Sequence, residues 1–221
     1  MSACAKATLR ENLEYYKSAG YAGVFLTDHF IDGNICHEIR ALPYKDRIEA
    51  YFNVYEEAKP IAEELGIEVF SGIEMSDNGT DFLVYGIDKE WCLAHEDMDK
   101  IPKPEILRIL AEDGALIIHA HPFKGASAGN DNIRLYPECV HGVEVFNAGR
   151  NDFDNALAAK YCAEHGLIRF SSTDNHLGGL KKCFGGMATE RPIKSVADFI
   201  SAVRSGEAKP FIRDESGVRF I

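Results

Sequence analysis

Apolar residues along the chain fall into short continuous runs separated by stretches with helical spacing, and most of the helical stretches close on a glycine. Thr8 and Glu11 form a capping box, and the amphipathic stretch behind them stops at Gly20. The run GVFLTDH (23–29) follows. A second helix carries Ile48, Phe52, Tyr55, Ala62 and Leu65 on one face; Pro60 predicts a kink or break, and Gly66 closes the helix before IEVFSGIE. No helical stretch separates that run from DFLVYGI, which reads as an extra strand reached by a short turn. Pro104 suits a first helical turn, and ILRILAEDG ends at Gly114 before ALIIHAH. VHGVEVFN is another apolar strand. Asp152 is placed to cap the helix DNALAAKYCAEH, which stops at Gly166 before LIRFSSTDNH, and Ser195 with Asp198 announces a last helix ending at Gly206.

Continuous apolar strands between amphipathic helices predict a parallel sheet covered by helices. An open doubly wound sheet and a (β/α) barrel both satisfy that pattern. No GxGxxG or GxxxxGK[ST] follows any of the strands, which removes the strongest signal for a nucleotide-binding open sheet.

Composition narrows the class. A length of 221 residues, 46% of them hydrophobic, fits one domain over 1–221 with a substantial core. No run approaches a membrane span, and the opening MSACAKATLRENLEYY has no apolar signal-peptide region. The six cysteines form no CxxC pair and read as reduced, mostly buried thiols, so the expected compartment is the cytoplasm. A net charge of −11 opposes grip on long nucleic acid but leaves room for a local cationic site for one phosphate.

The polar residues are informative by position. Asp28 and His29, Glu74, His119 and His121, Glu144 and Asn147, and Asp174 and His176 all end predicted strands. In α/β folds those ends converge on the face where active sites are built. Imidazole and carboxylate together suit Zn, Mn or Fe, and a carboxylate can bridge two such ions. Alone, Asp28–His29 or Asp174–His176 serves equally well as a helix cap after a strand. His119 and His121, one residue apart in a strand, are expected to point the same way. Of the other histidines, His141 precedes its strand, His165 ends a helix and His95 lies in the charged stretch AHEDMDK; only His37 could reach the same face.

Taken in order, LTDHF, FSGIE, DFLVYG, IIHAHPF, GVEVFN and SSTDNH resemble the PHP family, the polymerase and histidinol phosphatase superfamily, over essentially the whole chain. The resemblance implies a distorted (β/α)7 TIM-like barrel, two or three divalent metal ions in a complete site, and phosphoesterase chemistry by a hydroxide held on the metals. It makes His29, His121, Asp174 and His176 metal ligands and Glu74 a bridging carboxylate. Asp81 stands where the family often has a histidine ligand. Asp28 and His119 are expected to support the ligands or touch substrate. Lys124 and Arg150, just past strand ends, are candidates for holding a small phosphorylated metabolite or nucleotide. The family opens with an H-x-H strand that this sequence lacks. A chain with this start is therefore expected to be one strand short and to hold metal weakly. The alternatives are a degenerate noncatalytic PHP module and a metal-dependent hydrolase of a nonphosphate substrate.

Overall fold

The computed structural model describes residues 2–96, 98–180 and 183–221. The chain runs α1 (Leu9–Ser18), β1 (Gly23–Leu26), α2 (His37–Arg40), α3 (Tyr44–Leu65), β2 (Glu68–Ser71), β3 (Ile73–Asp77) and β4 (Thr80–Tyr85). It continues through α4 (Lys89–Ala94), α5 (Lys103–Glu112), β5 (Leu116–Ala120), β6 (Gly142–Asn147), α6 (Asp152–His165) and β7 (Ile168–Ser172). It ends with β8 (Phe184–Ala188), α7 (Val196–Arg204), β9 (Lys209–Asp214) and β10 (Gly217–Phe220).

Several sequence signals act locally as expected. Thr8 and Glu11 close a reciprocal capping box on α1, and Ser195 caps α7. Two signals are corrected. Pro60 does not break its helix: α3 continues through it for 22 residues, held by Ile48, Tyr51, Phe52, Ala58 and Ala62 on its buried face. Burial of a long apolar face outweighs the loss of one backbone hydrogen bond. Asn151, not Asp152, caps α6, because its side chain accepts from Asp154 N.

The sheet is mixed. β3, β4, β5, β6 and β7 lie side by side in that order; β3–β4 and β4–β5 are antiparallel, and β5–β6 and β6–β7 parallel. β1 pairs in parallel with β2, and the ladder continues past Gly72 through a backbone pair between His29 and Glu74. β8, β9 and β10 form a separate antiparallel meander. A single apolar run, IEVFSGIE, thus becomes two short strands that let β1 follow β2 and then β3.

Among the described residues no strand pairing closes the ladder. Among the described residues β1 and β7 each pair on one side only. Both line one cavity of about 1200 Å³, whose inner wall includes Phe25, Leu83, Tyr85 and Phe170. Phe199 of α7 packs against Phe25, Tyr85 and Phe170, with ring centroids 4.5, 5.3 and 6.1 Å away. Tyr21 Oη donates to Gly185 O at 2.7 Å, tying the approach to β1 to the meander. Outside the sheet, the largest core lies where α3 and α5 cover β3 and β4, through Ile48, Phe52, Ile106, Leu110, Met75 and Phe82. No helix among the described residues is long and apolar enough to cross a membrane.

Candidate metal centre

The C-terminal ends of β1, β3, β5 and β7 reach one rim, as their parallel or continuous direction requires. β4 runs the other way, so its first residues reach that rim. This places Asp81, opposite Ser76 and Ala120 in register, beside Glu74 and His121. A cleft of about 760 Å³ is lined by His29, Glu74, Asp81, His121, Asp174 and His176, with Lys124 and Arg150 at the same cleft.

Glu74 is the pivot. One carboxylate oxygen lies 3.1 Å from His29 Nδ1 and the other 3.4 Å from His121 Nε2. His29 Nδ1 is buried and close to that oxygen, yet makes no hydrogen bond with it or with any other described residue. A lone-pair donor facing a carboxylate without a hydrogen bond is the arrangement two ligands adopt around a shared cation. His29, Glu74 and Asp81 each offer a donor atom within 4.8 Å of the other two. One imidazole and two carboxylates form a donor set suited to Zn, Mn or Fe, so these residues fit a divalent ion.

The surrounding side chains hold this set in place. Ser76 Oγ donates to Asp81 Oδ1 at 2.6 Å. Asp28 turns its carboxylate to Ser2, accepting from both N and Oγ at 2.8 and 2.7 Å, while its carbonyl accepts from Glu74 N at 3.0 Å. Asp28 therefore pins the segment before α1 across the rim and does not enter the cleft. Asp174, in the left-handed region at φ 48°, accepts from Arg150 Nη2 at 3.1 Å and lies 3.3 Å from His176 Nδ1. Burial opposes its ionisation, but the charges of His121, His176 and Arg150 prevail and hold its pKa at about 2.

Beneath the cleft lies a buried network built on Glu144 and Asn147, two of the polar residues the sequence places at strand ends. Glu144 accepts from His121 N at 2.8 Å, from Asn147 Nδ2 at 2.9 Å and from Ser172 Oγ. Asn147 also donates to Asp174 at 3.3 Å. Burial pushes the Glu144 pKa up. The signal in the sequence was position alone, a carboxylate and an amide in a strand otherwise wholly apolar.

One expectation fails outright. His119 and His121 do not point the same way. His121 lies past the end of β5 with φ 28°, which breaks the alternation and turns its side chain into the cleft. His119 faces the helices instead, stacked on Phe82 at 5.1 Å and edge-on to Tyr161 at 5.9 Å. Fully buried, with neither ring nitrogen hydrogen-bonded to a described residue, it lines neither cavity. His37 is exposed at the start of α2 and stays outside the cleft.

No family model matches this chain, and neither does any curated protein sequence. Solved structures do. A two-domain protein from Bacteroides vulgatus, described as containing a predicted PHP-like metal-dependent phosphoesterase, matches with a TM-score of 0.56 at 16% identity. The match covers 98% of this chain and 59% of that protein, so this chain spans less than two thirds of it. PsfC from Pseudomonas syringae matches with a TM-score of 0.57 at 22% identity, over 87% of this chain and 78% of that one. An amidohydrolase from Chromobacterium violaceum, with bound sulfate and no metal, matches with a TM-score of 0.50 at 15% identity, over 90% and 92%. At these identities the likeness shows a shared mixed α/β fold.

Proposed function

We propose that this chain is a PHP-type metal-dependent phosphoesterase domain acting on a small phosphorylated metabolite or nucleotide. The observation that carries the reading is the compact His29–Glu74–Asp81 set at a rim where His121, Asp174 and His176 face the same cleft. These six residues would hold two or three divalent ions, Mn, Zn or Fe, in a complete site. Such ions would supply Lewis acidity, activating water near neutral pH and neutralising phosphoryl charge. Glu74 offers one oxygen to each side of the cluster, as a bridging carboxylate must. Lys124 and Arg150 hold the substrate's phosphoryl oxygens.

The reading extends to the architecture. We read the strands around the inner cavity as a distorted (β/α)7 barrel, with β1 and β7 facing each other across its seam.

The test is hydrolysis of a generic phosphomonoester with added Mn, Zn or Fe, comparing Glu74→Ala and His176→Ala with the unaltered chain. Loss of activity in both is expected; unchanged activity in both overturns the site. Likeness to an amidohydrolase favours a second reading, a metal-dependent hydrolase of a nonphosphate substrate. Turnover of an amide or carboxylic ester, lost in the same two variants and without phosphomonoester hydrolysis, selects it.

A further inference from the structure

Two loops carry cations to the cleft. The one after β5 brings Lys124, whose Nζ lies 3.8 Å from Asp81 Oδ2; the one after β6 brings Arg150, 3.1 Å from Asp174 Oδ2. Between the loops sits Asp154, the third residue of α6 and 4% exposed. A carboxylate at that place in a helix ordinarily turns back on the backbone of its own cap residue. Here Asn151 caps the helix, accepting from Asp154 N at 2.9 Å, and the Asp154 carboxylate reaches the other loop. It accepts from Gly125 N and Ser127 N, both at 3.0 Å, and from Asn151 Nδ2 at 3.2 Å. Asn151 Nδ2 also donates to Ser127 Oγ at 2.8 Å. Gly125 directly follows Lys124, and Asn151 directly follows Arg150. One buried carboxylate thus joins the residue after one cation to the residue after the other.

We propose that Asp154 is a positioning residue that fixes Lys124 and Arg150 as a single clamp for one phosphoryl-type oxyanion, a proposal that rests on the phosphoesterase reading above. A local helix cap needs no partner across 27 residues of chain, and these hydrogen bonds go to backbone N–H groups that only one loop conformation presents. Burial opposes ionisation of Asp154, yet the hydrogen bonds from Ser127 and Gly125 outweigh it and keep its pKa below the usual carboxylate value. The staple is therefore charged at neutral pH, and charge-assisted bonds hold the loop more firmly than neutral ones.

The test is calorimetric titration of inorganic phosphate into the Mn-loaded protein, with metal content and Tm measured on every variant. Asp154→Ala is expected to weaken phosphate binding roughly fivefold at unchanged metal content. Asp154→Asn, which keeps one acceptor oxygen, is expected to recover part of that loss and serves if the alanine variant folds poorly. In a Lys124→Ala/Arg150→Ala background, adding Asp154→Ala is expected to change nothing. Wild-type affinity in both Asp154 variants, a further loss in the double-alanine background, or a fall in metal content with Asp154→Ala each overturns the positioning role. A wild-type protein that holds metal but binds no phosphate overturns the phosphoesterase reading, and the clamp with it.

Discussion

His119 and His121 are separated by one alanine, yet they occupy opposite chemical worlds. His119 lies among Phe82, Tyr136 and Tyr161 with neither ring nitrogen paired to a described residue, and burial, aided by the nearby His121, drives its pKa down to about 3. His121 is just as buried. Burial alone would lower its pKa too, but the hydrogen bond to Glu74 and the charges of Glu144, Glu74 and Asp174 raise it to about 9. The difference is that acceptors surround one ring and carbon surrounds the other. Residue type and burial do not fix a histidine's role; the partners left after the backbone turns do.

The largest expected effect comes from erasing the polar member. His121→Phe leaves Glu74 and Glu144 without their cationic partner and is expected to cost about 3 kcal/mol in the metal-free protein. Metal affinity is expected to fall on the order of 100-fold or more, read by competition with a chelating dye. If His121→Phe bound metal normally, the two histidines would not differ in kind.

His119→Phe is the converse. It replaces two buried nitrogens that have no partner among the described residues by a ring of similar shape, so chemical denaturation is expected to show a gain of about 1–2 kcal/mol with metal content unchanged. A loss of metal on this substitution would return His119 to the site.

pH separates the pair further. For His119 the folded pKa is depressed, so its share of stability is complete above the ordinary histidine value of about 6.5 and is lost as pH falls from there toward 3. For His121 the folded pKa is raised, so its share is complete below about 6.5 and is lost as pH rises through 9. Metal-free protein is thus expected to be most stable near pH 6 to 7, in urea titrations across pH. His119→Phe should flatten the acid limb and leave the alkaline one. Tyr161→Phe gives the smallest change: it removes one buried hydroxyl and keeps the ring edge-on to His119, so the substitution should alter stability by under about 1 kcal/mol.

Much of this was legible in the sequence. The alternation of apolar runs and amphipathic helices located β1, β5, β6 and β7, and polar residues at strand ends gathered His29, Glu74, His121, Asp174 and His176 at one cleft. Asp81 entered through the resemblance, and its place is explained by β4 running backwards. What could not be read was set by single backbone angles and distant partners. The positive φ of His121 cancels the period-2 rule just where the two histidines would have shared a face. Pro60 stays helical because of packing on α3 that no local propensity reports. Asp154 looks like a helix-start residue until a loop 29 residues upstream is seen to use it.

The seam between β1 and β7 also bears on time. Its walls, β1 and β7, lie far apart in the sequence, so joining them is a contact of high sequence separation, the kind whose loop closure slows folding. Interactions absent from the folding transition state act chiefly on the rate of unfolding. Interactions that bridge the seam, such as Tyr21 Oη at 3.5 Å from Thr173 Oγ1 just past β7, are expected to slow unfolding more than they speed folding.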